Sequence, residues 1–165
     1  MITQTNTNID TSTITNSLLA VVINFLQQHN WSFSQHATEP ILKMSYQGEN
    51  GEWLCTAKTR EEHRQFIFYS SLPVSVPENK RLAVTEFLTR ANFGLIVGNF
   101  EMDLQDGELR YKTYSIEAEG CNINPDLIGQ LIFANLMIMD RYLPGIMSVI
   151  YANVAPELAL KQVEG

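Results

Sequence analysis

The chain has 165 residues, 45% of them hydrophobic and 18% charged, which suits one packed domain and argues against wholesale disorder. A net charge of −7, with 11 Lys and Arg spread along the sequence, argues against general binding of nucleic acid or anionic membrane, because phosphate binding needs clustered bases. Cys55 and Cys121 lie too far apart for a metal motif or a disulfide framework, and no Lys or Arg precedes the apolar run LLAVVINFL. These features point to a cytoplasmic chain with free thiols, no signal peptide and no membrane span.

Residues 1–13 are rich in Thr and Asn and are expected as a flexible N-terminal segment. Residues 14–155 are expected as a single domain, and 156–165 as a C-terminal tail. From Asn16 to His29, Leu18, Val21, Val22, Phe25 and Leu26 recur at helical spacing, with Thr15 or Asn16 placed to cap. Trp31 and Phe33 follow in a short extended passage. Ile41 to Gly48 and Glu52 to Thr59 alternate as strands around an Asn50-Gly51 turn, and Gln65 to Leu72 forms a third strand.

The phrase SVPE then opens a helix, with Ser75 to cap, Pro77 in the first turn and Glu78 to complete a capping box. Val84, Phe87, Leu88 and Ala91 line its apolar face, and Asn92 to Gly94 ends it. A second hairpin spans Leu95 to about Ala118. Asn124-Pro125-Asp126 starts a long helix with a cap, a first-position proline and an acid at the positive end of the dipole. Pro144-Gly145 is expected to bend or break it before a further helical segment to about Asn153.

The chemically most suggestive stretch is EMDLQDGE within Gly98–Lys112. With Asp106-Gly107 as a two-residue turn, counting outward pairs Leu104 with Leu109, Asp103 with Arg110, Met102 with Tyr111 and Glu101 with Lys112. One face, including Leu104, is then core. The other carries two opposite-charge pairs worth about 0.2–1 kcal/mol each. A calcium loop needs ligands at alternate positions, and Leu104 interrupts that series, so no metal is expected.

Other catalytic combinations are weaker still. Cys55 and His63 could make a nucleophile pair, but a mid-strand thiol opposite a residue near Phe68 and a turn histidine read as structural. His29 and His36 read as helix-end and loop residues, and Glu61, Glu62, Glu117 and Glu119 as solvated faces. The glycines of GLIVGNF are not spaced to cradle a phosphate. No cofactor and no enzymatic activity are expected.

The long helix is apolar on almost every side in LIGQLIFANLMIM. Either it is buried all round, or its second face, with Phe133, Leu136, Met137, Met147 and Ile150, meets a second copy or a protein or peptide client. A different reading puts a small ligand between sheet and long helix, with Trp31, Trp53 or Tyr111 in the wall.

The element order α-β-β-β-α-β-β-α, the phrase LTRANFGLIVGNFEMDLQDGELRYKTYSI and the helix phrase MDRYLPGIMSVIY resemble the YbjN-domain proteins, especially cyanobacterial members. The resemblance spans roughly Asn16 to Tyr151. It implies an α+β fold like that of the chaperones of type III secretion systems, with an antiparallel sheet of about five strands flanked by helices. It also implies a protein without catalytic residues, tied to stress and sensory regulation, that dimerises and binds extended protein segments.

Overall fold

The computed structural model describes residues 17–118 and 124–165. The segment 1–13, the proposed caps Thr15 and Asn16, and Glu119 and Cys121 lie outside them.

Helix α1 (Leu18–Gln28) begins at Ser17, whose hydroxyl accepts the Ala20 N–H. The carboxylate of Glu61, distant in sequence, accepts the N–H groups of Leu18 at 3.1 Å and Leu19 at 2.9 Å. A negative charge at this end also meets the positive pole of the helix. Leu18, Val22 and Leu26 form its buried face.

Six strands make one antiparallel sheet: β1 (Ser34–Gln35), β2 (Ile41–Gln47), β3 (Glu52–Arg60), β4 (Gln65–Ser71), β5 (Asn99–Met102) and β6 (Leu109–Ile116). Their spatial order is β1-β2-β3-β4-β6-β5. The strand beyond the expected five is the two-residue β1, too short to show an alternating pattern. Alternation elsewhere is clean: Trp53, Cys55, Ala57 and Thr59 of β3 are all buried, as are Phe66, Phe68 and Ser70 of β4.

Helix α2 (Arg81–Gly94) presents Val84, Phe87, Leu88 and Ala91 to the core. It starts from a 3₁₀ turn at Glu78–Lys80, and no side chain caps it, so the expected capping box of Ser75 and Glu78 does not form. The reason is tertiary. Val76 is buried, and its N–H donates to the Gly107 carbonyl at 2.9 Å, which pins this segment to the tip of the β5–β6 hairpin. Arg81 completes the clasp, donating to the carbonyls of Val76 and Leu104.

Both hairpin turns depart from the expected register. In the first, Gln47 pairs with Glu52 and Gly48 donates to Gly51 at 2.8 Å, so the turn centres on Glu49-Asn50, not Asn50-Gly51. The Asp140 carboxylate fixes it by accepting the N–H groups of Glu49 (3.1 Å) and Asn50 (2.8 Å). In the second, Glu101 pairs with Arg110 and Met102 with Leu109, a slip of two residues from the expected register. A wider turn closes where Gly107, at φ +79°, donates back to Asp103. A Cβ at Gly107 would lie 2.2 Å from the Val76 carbonyl oxygen, so only glycine fits here. A slip of two keeps each residue on its face, so Leu109 and Tyr111 stay in the core. Leu104, expected there too, falls in the turn and is 59% exposed.

Helix α3 (Pro125–Tyr151) runs unbroken through Pro144. Its start follows the sequence, with the Asn124 side chain accepting the N–H groups of Asp126 and Leu127. Proline at 144 removes the N–H that would bond the Asp140 carbonyl four residues back. The Asn50 side chain donates to that carbonyl instead, at 3.1 Å, and so replaces the missing bond. Asp140 and Asn50 thus join the helix and the first hairpin turn at the point where a break was expected. Residues 156–165 carry a further helix, α4 (Pro156–Glu164), with Ala159 buried against the rest of the chain. The order among the described residues is α-β-β-β-β-α-β-β-α-α. No helix of the described residues is long and apolar enough to cross a membrane.

Candidate functional site

The loop between α2 and β5 is apolar where loops are usually polar. It is also held at both ends. Asn92 grips the β5 backbone twice, donating to the Phe100 carbonyl (3.0 Å) and accepting the Phe100 N–H (2.8 Å). That clasp occupies part of the edge of the sheet, which would otherwise be open to an added strand. Further along, the Tyr111 hydroxyl donates to the Val97 carbonyl. Gly98 follows at φ +78°, where a Cβ would sit 2.4 Å from the Lys112 carbonyl oxygen. Between these anchors the chain displays Ile96 at 97% exposure, and Phe93 stands at 96% on the last turn of α2.

Opposite the loop, α3 contributes Ala134, Met137 and Ile138, with Tyr142 deeper in, and an open groove of about 560 Å³ lies between them. Met137 is 70% exposed. The end of α4 bounds the groove: Arg141 donates to the carbonyls of Val163 (3.3 Å) and Glu164 (3.2 Å), and the Tyr142 hydroxyl donates to the Glu164 carboxylate at 2.7 Å. Burial, the bond to Glu164 and its negative charge push the Tyr142 phenol up to about 12. The walls are apolar and one end is polar, with its donors engaged by the end of α4.

The five residues singled out on the long helix separate. Leu136 and Ile150 are buried in the chain's own core, and Met147 is half-buried. Phe133 is 40% exposed, its ring packed edge-on against Phe25 and Trp31 of the α1 side. Only Met137 faces the groove. Much of the apolar circumference of α3 therefore serves internal packing, since sheet, α1, α2 and α4 all lie against it.

Large side chains occupy the space between sheet and α3. Trp53 and Tyr111 are buried, and the Asn135 amide donates to the Phe68 and Tyr111 carbonyls at 3.1 Å each. Trp31 packs against Phe25, Tyr46 and Phe133 rather than lining such a cavity. Cys55 pairs with Ser70, two residues from the expected Phe68, while His63 lies exposed in the turn after β3. Burial pushes the Cys55 thiol up to about 11, against the hydrogen bonds of Ser70 and Trp53, so it is held protonated near neutral pH.

The acidic hairpin is likewise occupied by folding contacts. Glu101 receives both cations, Arg110 at 2.6 Å and Lys112 at 2.7 Å, so the expected partner of Arg110, Asp103, is free to accept the Gln105 N–H instead. Burial opposes the charged form of Glu101, but the hydrogen bonds and charges of Lys112 and Arg110 outweigh it and hold its carboxyl below the usual value. His29 bonds the Phe25 carbonyl at the end of α1, and His36 accepts the Glu39 N–H in its loop.

Sequence reading missed the Phe93–Val97 segment, which runs from the last turn of α2 into the loop, as a surface, although four apolar residues among these five are a visible signal. Residues 18–147 match the YbjN family, described as "Putative bacterial sensory transduction regulator". No curated protein matches the chain. Among solved structures, "Crystal structure of YbjN, a putative transcription regulator from E. coli" is similar in fold, with a TM-score of 0.58 at 12% identity, over 82% of this chain and 90% of that one.

Proposed function

Because the chain belongs to the YbjN family, we propose that it is a non-enzymatic regulator acting through protein contact at the groove between the Phe93–Val97 loop and α3. The observation that carries this reading is the rigid display of Phe93 and Ile96, almost wholly exposed, beside an apolar groove walled by Met137. A projecting apolar residue next to a hole makes a surface complementary to itself, the property a two-fold interface needs. The occupant is therefore a second copy of the chain, and the homodimer is the regulatory unit. Holding extended segments of other proteins is a further proposed use of such a dimer. The buried free thiol Cys55 suits the reducing cytoplasm.

Sedimentation of the full chain tests this. The wild type is expected to sediment as a dimer at micromolar concentration. Ile96→Asp and Met137→Glu are each expected to give monomers that keep the wild-type circular dichroism spectrum, because both side chains are exposed in the single chain, and to lose only the stability that association adds. A wild-type monomer, or dimers in both variants, would remove the groove as the interface.

A further inference from the structure

The 11 Lys and Arg residues are scattered along the sequence, but five of them gather in space. Alternation along the strands sends Lys43, Lys58, Arg60, Arg110 and Lys112 to the face of the sheet opposite the buried side chains. Among the described residues, Glu52 and Glu101 accompany them on the strands of that face, and Glu108, just before β6, adds a carboxylate 3.9 Å from Arg110. This face therefore has a surplus of positive charge in a chain whose net charge is −7.

We propose that this face, which no element of the described residues covers, binds an acidic polypeptide segment of a partner protein, one that also carries an apolar side chain. The pairing register sets the charges beside apolar surface. Lys58 pairs with Ile67, and Ile67 with Tyr114; Arg60 pairs with Gln65, and Gln65 with Ile116. Tyr114 and Ile116 are exposed, and with Ile67 and Tyr69 they line a shallow concavity of about 340 Å³. Lys43, Lys58 and Arg60 have no carboxylate partner among the described residues, so they are available to an incoming acid.

Charge and geometry favour this occupant over others. Arg110 and Lys112 are both held by Glu101, and the Arg110 guanidinium covers the Tyr69 ring at 4.3 Å. The groups best placed to grip phosphates and stack a base are thus engaged, and three remaining bases are few for a nucleic acid approaching an acidic protein. A second copy would bring the same sign of charge face to face. A short acidic segment senses mainly the local surplus, because charges beyond about 10 Å are screened at ordinary ionic strength.

The test uses the full chain and a fluorescein-labelled peptide of alternating Glu and Leu with one Tyr, at low salt. Its controls are the same peptide with Gln for Glu, a single-stranded oligothymidine, and phosphatidylserine vesicles. The acidic peptide is expected to bind, and the double variant Lys43→Glu/Lys58→Glu to weaken it roughly tenfold, the scale of two lost surface ion pairs. Lys43→Gln/Lys58→Gln supplies the same reading with a smaller loss if charge reversal disturbs the fold. Leu158→Ala, exposed on α4, should leave binding unchanged, which separates this face from the helical side. No binding of the acidic peptide, equal binding of its Gln form, or no loss in either double variant would overturn the proposal. So would tighter binding of oligothymidine or vesicles than of the peptide.

Discussion

The two faces of the sheet divide the chemistry of one set of strands. Phe66 and Phe68 of β4 point to α3 and are buried, while their neighbours Ile67 and Tyr69 lie on the opposite face, half-exposed among bases. Polar groups on the two faces meet different conditions. On the inner face Ser70 accepts the Trp53 indole N–H and Thr113 donates to the Leu131 carbonyl, because a buried polar group without a partner costs about 1–3 kcal/mol. On the outer face water satisfies a lysine, so charge can collect there at little cost. One face is organised by the need to fold, and the other is left with composition to spare for recognition.

The largest expected effect tests the inner face. Phe68→Ala should destabilise by about 3–5 kcal/mol in urea unfolding, whereas Tyr114→Ala, across the sheet and exposed, should change it by less than about 0.5. Similar losses for both would mean that the outer face is packed after all. Next comes the polar bridge: Asn135→Ala removes the amide that ties α3 to the Phe68 and Tyr111 carbonyls and should cost about 1–3 kcal/mol.

A modest effect tests the charges of the outer face. Glu101→Gln should cost about 1 kcal/mol at pH 7, a modest value because both of its ion pairs are partly solvated. Since the folded-state carboxyl is held below its ordinary value of 4.5, that contribution is complete above this value and is lost as pH falls through the folded-state one. Wild type and variant should therefore converge in stability at acid pH. A gap that persists there would show that Glu101 stabilises by packing rather than by charge.

Much of this fold was legible in the chain itself. The periods of α1, α2 and the long strands, the Asn124-Pro125 start of α3 and the apolar face of α2 are local, since each depends on spacing or capping within a few residues. The candidate groove was only partly legible. Met137 was identified, but Leu136 and Ile150 were grouped with it, because an all-round apolar helix does not reveal which neighbours cover it. The loop at Phe93–Val97 carried its own signal, whereas its rigidity depends on Asn92 reaching Phe100 and Tyr111 reaching Val97.

By itself the sequence determined the family, the alternation of the strands and the type of each long element, since short-range sterics and hydrophobic period suffice for these. Tertiary structure decided where the turns close, whether Pro144 breaks its helix and where the bases gather. Each of those outcomes depends on a group far away in sequence: Asp140 on the first hairpin turn, Asn50 on the carbonyl that Pro144 leaves free, Gly107 on Val76, and strand pairing that brings Lys43, Lys58 and Lys112 onto one surface. A local rule sets a preference worth a few tenths of a kcal/mol to about one. Several tertiary hydrogen bonds acting together, as at Asp140, or a packed core contact, are worth as much or more, and they settle the choice.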